Sequence, residues 1–82
     1  MPIEYGTVVL SLKGRDKGNF AVILAVSDTA VLVADGKQRP LENPKSKNRK
    51  HISATGFKLT DADIATNKSL RRALTALRTA HK

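Results

Sequence analysis

Two glycines four residues apart, Gly14 and Gly18, lie between two segments with the composition of β-strands, residues 7–12 and 20–26. Glycine enters left-handed regions of backbone conformation without the steric penalty that a Cβ atom imposes. The connection between the two segments can therefore bend sharply, and this feature constrains the fold of the chain more than any other. It predicts a tight turn between two neighbouring strands.

Three segments in the first half of the chain are predicted as strands. In residues 7–12, Val8 and Leu10 alternate with the residues between them. One face of the strand can therefore be buried, while the other tolerates both polar and apolar side chains. Residues 20–27 and 30–34 are rich in Val, Ile and Leu, and a short polar turn separates them. These segments are predicted as strands one to three.

A second tight turn is predicted at Asp35-Gly36, because both residue types tolerate positive φ. Residues 37–41 can then return as a fourth strand, which Pro40 confines to the edge of the sheet. Residues 43–50 hold four cations and no large apolar side chain, and we predict an extended loop there. A short last strand follows at 51–54. Five short strands in about 50 residues predict a mostly β fold, a small open barrel.

A helical tail is predicted after the barrel, which divides the chain into a barrel over residues 1–56 and a tail over 57–82. Thr60 can cap the amide of Asp63 in an arrangement like a capping box, and Asn67 is predicted as a second cap. Four apolar residues then recur at helical spacing, and we expect this stripe to pack on the barrel: Leu70, Ala73, Leu74 and Leu77.

Composition excludes several classes of protein. The 82 residues include 15 Lys and Arg against seven Asp and Glu, a formal charge of +8, which favours attraction to phosphates. There is no cysteine and the two histidines are far apart, so we expect no disulfide, metal or cofactor. The start of the chain has no features of a secretion signal, and no run approaches the roughly 18 apolar residues that span a membrane. We expect a cytoplasmic protein, away from membranes and monomeric outside its complex.

Catalysis is poorly supported by the sequence. Asp61 and Asp63 are two residues apart and point to different sides of a helix, and no histidine accompanies them. The glycine turn lacks the residue order of a nucleotide-binding P-loop. Of the three aromatic residues, Phe20 and Phe57 are expected in the core, which leaves only Tyr5 and no platform for stacking unpaired bases. We therefore predict no enzyme activity and no catalytic residue.

Two basic segments are the candidate binding site. On the glycine turn, cations alternate at Lys13, Arg15 and Lys17, and Asp16 among them lowers the local potential or orients a neighbour. The second segment, residues 37–51, carries six cations and one acid. Its candidate contacts are Lys37, Arg39, Lys45, Lys47, Arg49, Lys50 and His51. Together the two segments predict a surface that grips a polyanion, because so many like charges destabilise a fold unless a partner neutralises them.

A solvated turn and a solvated loop are the alternative interpretations of these segments. For His51, a place at the edge of a strand is favoured over a hydrogen bond to a phosphate or ribose. On the predicted tail helix, Arg71, Thr75, Arg78 and Lys82 fall on one side. They form either a second contact surface or a solvated face, since cations are favoured near the C-terminal end of a helix in any case.

The order of motifs resembles the KOW proteins, found among ribosomal proteins and transcription elongation factors. The resemblance lies in Gly6-Thr7-Val8-Val9, Gly14-Arg15-Asp16-Lys17-Gly18, Val22-Ile23-Leu24, Val31-Leu32-Val33 before Asp35-Gly36, and Asn48-Arg49-Lys50-His51-Ile52. The whole is similar to the large-subunit ribosomal KOW proteins of the fourteen-e type and their small bacterial relatives. It implies an SH3-like barrel, binding to structured ribosomal RNA, and contacts from the glycine turn and the basic segment.

The sequence thus predicts a non-catalytic RNA-binding protein of the ribosome or associated with it, with ribosomal proteins as further partners. Contacts to the backbone of folded RNA are expected rather than readout of single strands, because the stacking aromatics are missing. Two alternatives stay open: a KOW-type protein-interaction module of the transcription and translation machinery, and non-specific compaction of DNA. Charge alone does not separate them.

Overall fold

The computed structural model describes residues 3–15 and 17–80, without the side chain of Ala80. The elements in chain order are β1 (Thr7–Ser11), β2 (Phe20–Val26), β3 (Ala30–Ala34), β4 (Lys45–Asn48), a short 3₁₀ helix (Arg49–His51), β5 (Ile52–Lys58), α1 (Asp61–Ile64) and α2 (Asn67–Ala80). The protein is mostly β, as predicted, with a C-terminal helix.

The five strands form one antiparallel sheet in the order β4-β3-β2-β1-β5. The predicted glycine turn joins β1 to β2, where Gly14 and Gly18 have φ angles of 91° and 85°. The amide of Gly18 donates to the carbonyl oxygen of Ser11 at 2.8 Å and closes the turn. The first three predicted strands are confirmed to within one residue at each end.

The sheet is strongly curled, although no strand ladder closes it into a barrel within the described residues. Its two outermost strands, β4 and β5, are joined by the three residues of the 3₁₀ helix. The four residue steps from Asn48 to Ile52 cover at most about 14 Å. Four spacings between strands in a flat sheet would take about 19 Å. The two outer strands therefore meet only because the sheet bends on itself.

Each face of the curled sheet carries its own apolar cluster. The inner cluster consists of Val9, Ile23, Val31, Val33 and Ile52. The outer cluster joins strand residues to the helices and consists of Val8, Phe20, Val22, Ala34, Ile64, Leu70 and Leu74. Since both faces of β1 are buried, the prediction of one tolerant face on this strand was wrong. The helical stripe packs on the sheet as predicted.

The predicted fourth and fifth strands need correction. Residues 37–41 form no strand, because the Asp35 carboxylate accepts from the amides of Lys37 and Arg39 at 2.8 and 2.9 Å and holds them in a turn. The real fourth strand, Lys45–Asn48, lies in the segment predicted as a loop. It pairs with β3 along its whole length, with Lys45 opposite Val33 and Asn48 opposite Ala30.

Strand β5 runs to Lys58, across the predicted boundary at residue 56. Beside β1 it contains an irregularity: two steps of β1, from Thr7 to Val9, face four steps of β5. Gly56 adopts a φ of 89° there. This part of β5 leaves Phe57 37% exposed, so its predicted place in the core was wrong, whereas Phe20 is buried as predicted.

The helical tail begins with the predicted capping box. The Thr60 hydroxyl accepts from the amide of Asp63, and the Asp63 carboxylate accepts from the amide of Thr60. At the start of α2 the cap is Thr66 rather than the predicted Asn67, because Thr66 and Ser69 exchange side-chain and backbone hydrogen bonds. No helix in the described part of the chain is long and apolar enough to cross a membrane.

Candidate nucleic-acid interface

The two basic segments of the sequence meet at one cleft beside β4. Lys13 and Gly14 of the glycine turn form one wall, and β4 with the end of the 3₁₀ helix forms the other. The cleft has a volume of about 350 Å³. We call it the β4 cleft and define it by its lining: Lys13, Gly14, Lys45, Ser46, Lys47, Asn48 and His51. These described residues include three lysines, one histidine and no carboxylate, and Asp16 lies outside the described residues.

Lys47 holds the β4 cleft together from inside. Its side chain is only 8% exposed, and its Nζ donates to the Ser11 hydroxyl at 2.8 Å and to the Lys13 carbonyl oxygen at 2.9 Å. The Ser11 hydroxyl donates to the same carbonyl oxygen at 3.1 Å. Because β4 and β1 are not neighbours in the sheet, these bonds cross the interior of the curl. Lys47, predicted as a contact with a partner, is thus a buried residue that positions Lys13.

The rest of the glycine turn presents its cations to solvent. Arg15 and Lys17 are both exposed. The amide of Lys17 donates to the carbonyl oxygen of Gly14 at 3.2 Å, and the amide of Ser11 donates to the carbonyl oxygen of Asn19 at 3.0 Å. The base of the turn is fixed by these bonds, while the charged side chains at its tip stay accessible to a partner.

Arg49 and Lys50 stand on the 3₁₀ helix next to the β4 cleft, and both are exposed. Asn48 caps this helix, since its side-chain oxygen accepts from the amide of Lys50 at 2.8 Å. The guanidinium of Arg49 donates to the carbonyl oxygen of Ser27 at 3.2 Å, at the turn between β2 and β3. Arg49 therefore contacts the β2–β3 turn, whereas His51 lines the cleft.

Lys37 and Arg39 are exposed in the turn that follows β3, and they do not share the lining of the β4 cleft. Lys37 lines a second, larger groove, with a volume of about 960 Å³, between this turn and α2. We call it the helix groove. Its charged lining residues are Asp35, Lys37, Lys68, Arg71, Arg72 and Arg78. Of the predicted binding residues, four line the β4 cleft and Lys37 lines the helix groove. The other five line neither surface: Arg15, Lys17, Arg39, Arg49 and Lys50.

The helix groove contains cations that the sequence did not single out. Arg71, Thr75 and Arg78 line it on the side of α2 predicted from their spacing, and Lys82 lies outside the described residues. Lys68 and Arg72 were missed, although they continue the same spacing of three and four residues. What the sequence could not supply is the position of the turn after β3 opposite this side of the helix.

No protein-family model matches this sequence, and no curated protein matches it either. What the fold and its surfaces define is a class: a small, curled antiparallel sheet backed by a C-terminal helix, with a basic cleft at one strand edge and a basic groove along the helix. Within the described residues, no group of His, Asp and Glu side chains could hold a metal ion.

Proposed function

We propose that the protein is a non-catalytic RNA-binding protein that docks on structured RNA through the β4 cleft and the exposed cations beside it. The observation that carries the proposal is the convergence of two basic segments, whose lining residues Gly14 and Lys45 are 31 positions apart in the chain, on one cleft whose described lining includes no carboxylate. Lys13 and Lys45 stand on its two walls, and Arg15, Lys17 and Lys50 are exposed on the same two segments.

Recognition in this proposal is electrostatic. Each phosphate that a lysine or arginine neutralises releases counterions from the nucleic acid, which drives binding and makes it depend on salt. The buried ammonium group of Lys47 adds charge behind the cleft in a place where solvent screens it less. Its hydrogen bonds also fix the backbone of Lys13, so a phosphate meets a wall that is already ordered.

Folded RNA suits this surface better than an unpaired strand. No Phe, Tyr or Trp side chain is among the described residues that line the β4 cleft, and the His51 imidazole is the one ring there that a base could stack on. Contacts to phosphates and ribose hydroxyls, set by the shape of the RNA, use the groups that are present: ammonium groups, the His51 imidazole, and the Ser46 and Asn48 side chains. Ribosomal RNA is the RNA we propose, on the strength of the resemblance to KOW proteins.

Crosslinking in the native cells tests both the partner and the surface. The tagged protein is crosslinked to RNA, purified at high salt, and the attached RNA is sequenced for wild type and Lys45→Glu. Lys58→Glu is the matched control, because Lys58 is exposed on β5 and pairs with Glu4 rather than lining the β4 cleft. We expect discrete ribosomal-RNA sites that Lys45→Glu loses and Lys58→Glu keeps. Diffuse or absent RNA contradicts the proposal.

A protein-interaction module is the second candidate, and one observation favours it. Tyr5 and Phe57 are 47% and 37% exposed, and β5, which carries Phe57, is an edge strand of the sheet. Aromatic side chains supply much of the binding energy at protein interfaces. For such a module, binding to a protein partner is retained in Lys45→Glu and lost in Phe57→Ala. Equal affinity for duplex DNA and ribosomal RNA would instead favour non-specific DNA binding.

A further inference from the structure

The helix groove gathers five cations from two parts of the chain that are about 30 residues apart. One comes from the turn after β3 and four come from α2: Lys37, Lys68, Arg71, Arg72 and Arg78. Among the described lining residues the only carboxylate is Asp35, and its Oδ1 already accepts from two backbone amides of the turn. The groove is therefore strongly basic, although four of its five cations come from a helix face that could simply have been solvated.

Two of the groove's arginines are held in place. Arg71 Nη1 donates to the carbonyl oxygen of Gly36 at 2.8 Å, and Arg78 Nη2 donates to the side-chain oxygen of Asn19 at 3.1 Å. A guanidinium has five N–H donors in a rigid plane, so one such bond orders the group and leaves donors for a ligand. Ordering before binding lowers the entropy that a phosphate contact must overcome.

The wall opposite α2 is fixed as well. Gly36 has a φ of 79°, and a Cβ atom placed on it would lie 2.5 Å from the carbonyl oxygen of Asn67, at the start of α2. The side chain of Asn67 accepts from the amide of Leu41 at 2.8 Å and donates to the Glu42 carboxylate. The turn and the helix thus touch directly, and the groove between them has a defined width.

The dimensions and chemistry of the groove fit the backbone of a nucleic acid. From Lys68 to Arg78 the helix rises about 15 Å, so its cations can face several successive phosphates of one strand. Asn19, Gln38 and Thr75 add uncharged hydrogen-bonding groups between the cations. The aromatic ring in the lining, Phe20, is buried, so the groove offers contacts to phosphates and sugars rather than to bases.

We propose that the helix groove is a second binding site for a nucleic-acid backbone, and that the protein uses it together with the β4 cleft to hold two RNA segments at once. The two sites flank the glycine turn: Lys13 and Gly14 line the cleft, and Asn19, just after the turn, lines the groove. The bridging of two segments rests on the proposed function of the β4 cleft, whereas binding in the groove does not.

Two pairs of neutral variants separate the sites. Lys68→Gln/Arg72→Gln removes two exposed cations of the groove that do not take part in the hydrogen bonds to Gly36 and Asn19. Lys13→Gln/Lys45→Gln removes the charges on the two walls of the cleft. Lys58→Gln serves as a control outside both linings, and circular dichroism with thermal melting checks that every variant is folded. The probe is a fluorescent RNA duplex of about 20 base pairs, long enough to span such a module.

Anisotropy titrations at several salt concentrations give the expected result for each pair. Each variant pair loses about two phosphate contacts, so the slope of log affinity against log salt falls in magnitude by about 1.5 to 2 and affinity drops about tenfold. A second assay mixes two duplexes with donor and acceptor dyes. Wild type brings them together and gives energy transfer, while each pair of variants still binds one duplex but loses the transfer.

The possible failures are distinguishable. If Lys68→Gln/Arg72→Gln matches the control in slope and transfer while the cleft variant weakens, the groove proposal is overturned and the cleft function stands. If only the groove variant weakens, the groove is a nucleic-acid site and the proposed cleft function fails. Polyglutamate serves as a competitor for the groove. If it displaces the labelled RNA at the same concentration of charges as unlabelled RNA does, the partner is an acidic protein segment and the proposal is overturned.

Discussion

The β4 cleft and the helix groove are both basic, but they hold their charges in different ways. In the cleft, the central cation Lys47 is buried and bonded to the backbone of the opposite wall, so its charge is also part of the fold. In the groove, Lys68 and Arg72 are exposed on the helix surface, and only Arg71 and Arg78 make anchoring contacts. One surface is built around a structural lysine and the other around a helix face.

The number of cations at a surface therefore does not show which of them are available to a ligand. A buried, hydrogen-bonded lysine sets the position of its neighbours, and its removal changes the fold before it changes affinity. An exposed lysine or arginine on a helix contributes little to stability, so its removal reports on binding. Variants for which the free energy of unfolding and the RNA affinity are both measured therefore test whether the two surfaces differ in this way.

The largest effect is expected where the turn after β3 touches the start of α2. Gly36→Ala places a Cβ atom 2.5 Å from the carbonyl oxygen of Asn67 and forces a non-glycine residue to a φ of 79°. Strain and overpacking together should lower the free energy of unfolding by about 3 kcal/mol. Chemical denaturation measures it. Gly18→Ala is the control at nearly the same φ, with nothing within 4 Å of the added atom, and should cost only about 1 kcal/mol. Equal losses would contradict the close contact of turn and helix.

The next effect separates the buried Lys47 from the half-buried Lys45. Lys47→Ala loses charge-assisted hydrogen bonds to Ser11 and Lys13, and we expect the free energy of unfolding to fall by about 2 kcal/mol. Lys45→Ala, two residues away on the same strand, should change it by less than about 0.5 kcal/mol. Denaturant titration of both variants gives the comparison. Similar stabilities for the two would mean that Lys47 is a surface lysine after all.

A smaller effect distinguishes an anchored arginine from a free one in the helix groove. Arg71→Lys keeps the charge but removes the planar group that bonds Gly36, so affinity for the RNA duplex should fall about threefold with an unchanged salt slope. Arg72→Lys, exposed and not anchored to Gly36, should bind as wild type does. Anisotropy titration at one salt concentration detects the difference. Identical affinities would show that anchoring contributes nothing to binding.

The smallest effect is expected outside both surfaces. Phe57→Ala should leave RNA affinity within about twofold of wild type, because this residue lines neither the β4 cleft nor the helix groove. A large loss of RNA affinity in a variant that melts normally would place an aromatic contact in the interface. It would thereby contradict backbone recognition as the basis of binding.

The parts of the fold that could be predicted are those in which apolar patterns and glycines act locally. The first three strands, the glycine turn and the Thr60 capping box follow from short runs of sequence. Strand β4 could not be found in this way, because Lys-Ser-Lys-Asn contains no apolar residue. The buried residue of this strand is Lys47, and its hydrogen-bond partners Ser11 and Lys13 are more than 30 residues away in the chain.

The candidate site shows the same limit. The sequence identified the cations of the two basic segments, and the structure brings Lys13, Lys45 and His51 together. The sequence could not show that these cations belong to different surfaces. Lys37 lies opposite α2 because the turn after β3 contacts the helix, and that contact depends on tertiary structure. Likewise, the exposure of Phe57 follows from an irregularity in strand pairing that apolar character alone does not reveal.

Phosphate binding by the β4 cleft is tested by the salt dependence of binding to a structured ribosomal-RNA fragment, measured for wild type, Lys45→Gln and Lys58→Gln. If about six phosphates are neutralised, the slope of log affinity against log salt lies between about −4 and −5 for wild type. Lys45→Gln should reduce its magnitude by about 1, and Lys58→Gln should leave it unchanged. A flat salt response, or the same slope for both variants, would contradict a phosphate-binding role for the β4 cleft.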